Sequence, residues 1–94
     1  MKIVTVCGNG IGSSLMLAMK IQEICDGEGI KVNVESSDVA GATGKNCDLY
    51  VTVKELSPHF PKEKTLIVRS YINKKKITED VLELIRAKSI EMGK

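Results

Sequence analysis

The sequence has few of the residues that recognise nucleic acids or cross membranes. Its 94 residues include no tryptophan, two tyrosines and one phenylalanine, and the formal net charge is only +2. Nucleic-acid-binding proteins present basic surfaces with interleaved aromatic side chains, so a nucleic-acid partner is not expected. No apolar stretch approaches the roughly 18 residues that a membrane-spanning helix needs. We therefore expect a cytoplasmic protein that does not insert directly into a membrane.

Cysteine and histidine are too few and too widely spaced for a disulfide framework or a zinc site. The three cysteines form no Cys-x-x-Cys pair, and His59 is the only histidine. We therefore expect reduced thiols, with neither a metal nor a cofactor. Cys25 lies on an apolar helical face and Cys47 precedes a strand, so both are interpreted as packed core residues. His59 follows a proline and is interpreted as a surface loop residue.

The size and composition suit one small globular domain that spans residues 1–94. Hydrophobic residues make up 43% and charged residues 28%, a balance typical of soluble domains. Apolar runs predict four strands, at residues 2–6, 31–35, 49–53 and 65–69. Amphipathic patterns predict two main helices, at residues 14–26 and from Thr78 onward.

Strands that alternate with helical segments predict a parallel sheet joined by right-handed crossovers, with helices on both faces. We expect an α/β fold of the flavodoxin-like or Rossmann-like kind, with strand order 2-1-3-4. Residues 31–35 alternate polar and apolar, which is typical of an edge strand. In such sheets, ligands bind beyond the carboxyl ends of the strands. We expect the loops near 36–38 and 54–55 to form the rim of the site.

The last helix is predicted to begin at a threonine cap. Thr78 is followed by Glu79 and Asp80, and negative charge is favourable in a first helical turn. The preceding basic run, residues 73–76, is interpreted as a solvated loop. The apolar spacing predicts that four side chains face the sheet: Val81, Leu84, Ile85 and Lys88.

The most informative feature is a cysteine placed between the first strand and the first helix. Cys7 is followed by three glycines within five residues and then by Ser13 and Ser14. Glycines allow successive backbone N–H groups to turn inward, and a helix N-terminus carries unpaired N–H groups and a positive dipole. Together they form a concave anion site. The same field favours a thiolate, so Cys7 is expected to be a nucleophile.

Other glycine-rich loops fit the sequence less well. A nucleotide-binding P-loop needs a lysine before its serine or threonine, and no lysine precedes Ser13 or Ser14. A dinucleotide-binding loop needs glycine or alanine at position 13. A low-molecular-weight tyrosine phosphatase loop, Cys-x5-Arg-Ser/Thr, needs arginine at that position to clamp the phosphoryl group. It also needs a general acid, commonly in an Asp-Pro pair that this sequence lacks. The cradle and nucleophile without the clamp are typical of a phosphoryl carrier.

The segment Val6–Met16, with sequence VCGNGIGSSLM, resembles the phosphocysteine loop of IIB components of the bacterial phosphoenolpyruvate-dependent sugar phosphotransferase system. It is most similar to the ascorbate-type group, followed by the galactitol- and mannitol-type groups. The resemblance implies that Cys7 accepts a phosphoryl group from a phosphohistidine on a cytoplasmic IIA protein. The group then passes to a sugar, such as ascorbate or a related carbohydrate, in the membrane transporter IIC.

This resemblance implies an enzyme, a protein-N(pi)-phosphohistidine–sugar phosphotransferase that acts through phosphocysteine. It also implies a phosphate-binding loop built from seven residues: Gly8, Asn9, Gly10, Ile11, Gly12, Ser13 and Ser14. Two alternatives stay open, a low-molecular-weight tyrosine phosphatase-like enzyme and a regulatory IIB-like module. The first would hydrolyse phosphate esters rapidly, and the second would sense phosphorylation without serving a sugar.

Overall fold

The computed structural model describes residues 1–8 and 11–92 of the chain, which form four strands and three α-helices. The strands are β1 (Lys2–Cys7), β2 (Asn33–Asp38), β3 (Leu49–Thr52) and β4 (Thr65–Ile67). The helices are α1 (Ile11–Gly27), α2 (Val39–Ala42) and α3 (Lys74–Met92), and two 3-10 turns span Ser57–His59 and Lys62–Lys64. Within the described residues, no helix is both long and apolar enough to span a membrane.

All strands are parallel, and their order is β2-β1-β3-β4, which confirms the predicted fold class. The second strand begins two residues later and ends three residues later than predicted. Its pairing with β1 runs from Lys2 opposite Asn33 to Cys7 opposite Asp38. The polar residues at its end therefore belong to the sheet because β1 supplies hydrogen-bond partners there, although their composition resembles a loop.

The two faces of the sheet carry separate cores, because successive strand side chains point to opposite faces. One core packs α1 and α3 on the sheet; its members include Ile3, Leu17, Ile21, Cys25, Val51, Val81 and Ile85. The other lies under α2 and the 3-10 turns and contains Val4, Val6, Ala42, Cys47, Tyr50 and Phe60. Helical segments thus cover both faces, and the predictions that Cys25 and Cys47 pack in the interior are confirmed.

The last helix begins four residues before the predicted cap, so that prediction is wrong. The Asn73 side chain accepts a hydrogen bond from the Lys76 N–H at 3.0 Å, and the Asn73 carbonyl accepts from Ile77 at 2.9 Å. Asn73 is therefore the cap, and the basic run forms the first turn instead of a loop. The Thr78 hydroxyl donates to the Lys74 carbonyl at 2.7 Å, inside the helix. Earlier initiation buries Ile77 completely.

The face that α3 turns to the sheet also differs from the prediction. Ile77, Val81 and Ile85 are fully buried, whereas Leu84 is 52% exposed. Leu82 packs partly against the core instead, so the helix is rotated toward Leu82 and away from Leu84. Lys88 does not reach the core either. Its ammonium lies 3.8 Å from the Glu91 carboxylate at the surface.

Replacing Asn73 with alanine is expected to lower the free energy of unfolding by about 1 kcal/mol, the usual cost of losing a helix cap. Thr78→Ala is the matched control and is expected to cost less than about 0.5 kcal/mol, because its hydroxyl bonds to its own helix. Urea unfolding followed by circular dichroism measures both values. A larger loss for Thr78→Ala than for Asn73→Ala would place the helix start at Thr78 after all.

Candidate functional site

Cys7 is the last residue of β1 and lies at the carboxyl edge of the sheet, where ligands bind in parallel α/β folds. Only 5% of its surface is exposed, and it lines a cleft of about 330 Å³. We call this the Cys7 cleft. Its lining residues are Cys7, Gly8, Ser13, Val53, Glu55, Leu56 and Tyr71. The thiol therefore lies against a cavity large enough for a phosphoryl group, whereas Cys25 and Cys47 lie within the two cores.

The helix that follows Cys7 begins at Ile11, three residues earlier than predicted. Gly12 and Ser13 therefore belong to its first turn and are exposed, and Ser13 lines the Cys7 cleft. N–H groups of a first helical turn have no acceptor within the helix, so they are available to an anion. Of the predicted loop residues, Asn9 and Gly10 lie outside the described residues, as does the side chain of Ile11.

Ser14 occupies a different place from Ser13. It is completely buried, and its carbonyl accepts a hydrogen bond of 2.7 Å from the hydroxyl of the buried Thr5. This bond joins the first helical turn of α1 to the middle of β1. The strand and the helix that flank the thiol are therefore held together beneath the cleft, while Ser14 is absent from its lining.

Gly8 and Gly12 have different surroundings. A Cβ added at Gly8 would lie 3.6 Å from both terminal methyl carbons of Leu56, across the cleft, whereas one at Gly12 would meet nothing within 4 Å. A large side chain at residue 8 would therefore fill the space beside the thiol. The separation at Gly8 is an ordinary van der Waals contact, so a methyl group is accommodated at both positions, and only a larger side chain at Gly8 would crowd Leu56.

The carbonyl oxygen immediately before Cys7 is held by two hydroxyl groups. Val6 accepts hydrogen bonds from Thr52 Oγ1 at 3.1 Å and from Tyr71 Oη at 3.2 Å. The backbone pairing between β1 and β3 joins residues 3–5 to residues 49–51 and stops before Val6. The hydroxyls of Thr52 and Tyr71 therefore bind β1 just past the end of that pairing. Sequence reasoning missed both residues. Their only signal is that each follows or ends a strand at the carboxyl edge of the sheet.

Burial affects the pKa of one phenol in the cleft and of two thiols in the cores. Burial raises the pKa of Tyr71 above its usual value, and the nearby Cys7 and Glu55 add to the rise. Burial, reinforced by Asp26, raises the pKa of Cys25 to about 11. Burial also raises the pKa of Cys47. The Tyr71 phenol is therefore a hydrogen-bond donor at neutral pH, and the two core thiols are poor nucleophiles.

The predicted rim forms only in part. Glu55 lines the Cys7 cleft, as expected for the loop after β3. Residues 36–38 belong to β2, and the Asp38 carboxylate accepts a hydrogen bond of 2.7 Å from the Gly41 N–H as the cap of α2. His59 is exposed in a 3-10 turn, which confirms its interpretation as a surface residue.

Neither arginine of the chain lines the cleft, and both lie within the described residues. Arg69 is bound by Asp80 and Glu79 at 3.0 Å, and Arg86 pairs with Glu28. The site therefore has no guanidinium clamp on a bound phosphoryl group. Among residues 1–8 and 11–92, no three His, Cys, Asp or Glu side chains are grouped closely enough to hold a metal ion.

The arrangement belongs to a known structural class. The solution structure of a low molecular weight protein tyrosine phosphatase from Bacillus subtilis is similar, with a TM-score of 0.56, 16% identity and coverage of 98% of each chain. At this identity the likeness defines the fold, a four-stranded parallel α/β domain. No curated protein matches the chain.

Within this class, the chain belongs to the family described as "PTS system, Lactose/Cellobiose specific IIB subunit", whose model matches residues 2–84. The predicted membership in the IIB components of the sugar phosphotransferase system is thereby confirmed. The ascorbate-type subgroup is not, because the matching description names lactose and cellobiose. Family membership makes the chain a phosphotransferase component of sugar uptake, which in general works with IIA and IIC components.

Alkylation of the native protein by iodoacetamide near neutral pH is expected to modify Cys7 at least about tenfold faster than Cys25 or Cys47. Cys7 lines a cleft, whereas burial raises the pKa of both other thiols, that of Cys25 to about 11. Peptide mass spectrometry measures the three rates. The unfolded protein in urea is the control, in which the rates should converge. Equal rates in the native protein would contradict the assignment of Cys7 as the reactive thiol.

Proposed function

We propose that the chain is a IIB component that carries a phosphoryl group on Cys7 between a IIA donor and a sugar bound by IIC. The observation that carries the proposal is the position of Cys7, which ends β1 and shares its cleft with the first turn of α1. The family match over residues 2–84 supports a IIA donor and a sugar acceptor.

The reaction consists of two displacements at phosphorus. The Cys7 thiolate attacks the phosphoryl group of a phosphohistidine, the P–N bond breaks, and the imidazole leaves and takes up a proton. In the second step a sugar hydroxyl attacks the phosphocysteine, the P–S bond breaks, and the hydroxyl proton passes to a base or to water. The N–H groups of the first turn of α1, which have no acceptor within the helix, would hold the negative oxygens in both steps.

The site lacks the guanidinium with which a phosphatase speeds hydrolysis of its phosphocysteine. Both arginines are paired with carboxylates away from the cleft, so the charge of a hydrolytic transition state has no guanidinium to stabilise it. The neighbouring Glu55 carboxylate adds a negative charge to the lining. We therefore infer a carrier that retains its phosphoryl group in water until an acceptor sugar is presented.

The acceptor sugar belongs to one of two classes, ascorbate-like carbohydrates or disaccharides such as lactose and cellobiose. The loop resembles that of ascorbate-type IIB proteins, whereas the family description names lactose and cellobiose. The carrier delivers the phosphoryl group to a sugar that the transporter binds, so the acceptor must be identified with IIC present. Membrane vesicles that contain each type of IIC distinguish the two classes.

The test incubates the protein with phosphorylated IIA and measures the mass of the intact chain. We expect a gain equal to one phosphoryl group, which is lost again when vesicles that contain the matching IIC and its sugar are added. Para-nitrophenyl phosphate is added to a parallel sample. Rapid release of para-nitrophenol without a stable mass gain would overturn the carrier function and favour a phosphatase.

A further inference from the structure

We propose that Tyr71 is a positioning residue for Cys7, and this inference rests on the proposed function. The hydroxyls of Tyr71 and Thr52 both donate hydrogen bonds to the Val6 carbonyl and thereby fix the end of β1 that carries Cys7. The Tyr71 ring also forms part of the wall of the cleft that the phosphoryl group enters.

Tyr71 reaches the site from a distant part of the sequence. It lies in the segment between β4 and α3, 65 positions after Val6, yet its hydroxyl donates to the Val6 carbonyl at 3.2 Å. Its ring is half-buried and packs partly against the core under α1 and α3. A side chain anchored in this way can restrain the end of β1, where pairing with β3 has already stopped.

The Val6 carbonyl matters because its oxygen is the negative end of a dipole next to the thiol. Two hydroxyl donors, Tyr71 and the completely buried Thr52, satisfy that oxygen. Loss of one donor leaves more negative charge on the Val6 carbonyl oxygen. The neighbouring Cys7 thiol must become an anion and then carry a phosphoryl group, so this charge opposes both steps. A phenol is protonated at neutral pH even at its ordinary pKa, and burial raises the pKa of Tyr71 further, so its hydroxyl stays available as a donor.

Tyr71→Phe removes the hydroxyl and keeps the ring, so access to the cleft is retained. We expect the maximal rate constant of phosphoryl transfer from phosphorylated IIA to fall about tenfold, because the nucleophile is less well oriented. The IIA concentration at half-saturation should stay within about twofold, since the donor-binding surface is unchanged. Alkylation of Cys7 should slow about fivefold, the size of effect that one hydrogen bond supports.

Tyr50→Phe is the matched control. The Tyr50 hydroxyl also donates to backbone carbonyls, those of Ala42 at 3.1 Å and Lys45 at 2.9 Å, but it lies in the other core and not in the cleft. We expect Tyr50→Phe to lower the melting temperature while transfer and Cys7 alkylation stay within about twofold of the wild type. This control separates a general loss of stability from a loss of positioning.

A second variant, Thr52→Val, removes the other donor to the same oxygen. Both hydroxyls donate to one carbonyl. The double variant Tyr71→Phe/Thr52→Val should therefore reduce the rate of Cys7 alkylation by a larger factor than the product of the factors for the two single variants. Multiplicative effects would show that the hydroxyls act independently and would overturn the shared-carbonyl account. Normal transfer and alkylation in Tyr71→Phe, or losses no larger than in Tyr50→Phe, would overturn the proposal as a whole.

Two measurements, phosphoryl transfer from IIA and alkylation of Cys7, separate this inference from the proposed function. Should the wild type accept no phosphoryl group while Tyr71→Phe still slows Cys7 alkylation, the carrier function fails and the positioning role stands. Should the wild type accept the group and Tyr71→Phe behave identically in both assays, the positioning role fails and the carrier function stands.

Discussion

Replacing Cys7 with serine is expected to abolish sugar phosphorylation in a system of IIA, this protein and IIC, by a factor of more than about 10³. A serine hydroxyl is a far weaker acid than a thiol, so it cannot replace the thiolate as nucleophile. The substitution changes one atom at a position that is already buried, and the fold should persist. Transfer of radiolabelled phosphate to the sugar measures the effect.

Cys25→Ala and Cys47→Ala are the controls for this substitution. Both residues lie in the hydrophobic cores and away from the cleft, so these variants should keep most of the transfer activity while losing some stability. Retained transfer in Cys7→Ser, or its loss in either control with the fold intact, would contradict the assignment of the phosphoryl group to Cys7.

The second large effect is expected in α3, where Ile85→Ala should lower the free energy of unfolding by about 3 kcal/mol. Ile85 is completely buried against the sheet together with Val81 and Ile77. Truncating it removes apolar contacts and leaves a cavity that the packed interior fills only partly. Urea unfolding at constant temperature measures the difference.

Leu84→Ala is the matched control, because it truncates the neighbouring side chain of similar size. Leu84 is largely exposed, so the loss should stay below about 0.5 kcal/mol. The pair also tests the orientation of the helix. Equal losses would mean that α3 turns Leu84 toward the sheet, as its sequence pattern alone suggested.

The parts of the fold that local patterns dictate could be predicted from the sequence. The apolar run of β1, the glycines after it and the amphipathic α1 placed Cys7 at a strand-to-helix junction, and the structure confirms that junction. Strand order followed from the alternation of elements and the half-exposed second strand. The family was predicted from the loop, and the match over residues 2–84 confirms the class though not the ascorbate-type subgroup.

The features that were missed depend on contacts made only after the sheet assembles. Thr52, Leu56 and Tyr71 come from different segments and meet at the carboxyl edge, and none belongs to a local motif. The start of α3 was misplaced for a related reason. Asn73 and Thr78 are both good capping residues, and burial of Ile77 against the sheet favours initiation at Asn73.

The most direct test of the central claim is to find the atom that carries the phosphoryl group. The protein is phosphorylated by IIA, digested at neutral pH and sequenced by tandem mass spectrometry. We predict that the group is found on the peptide that contains Cys7, attached to sulfur and removed when the thiol is oxidised by iodine. A phosphoryl group on His59, the single histidine of the chain, would contradict the account.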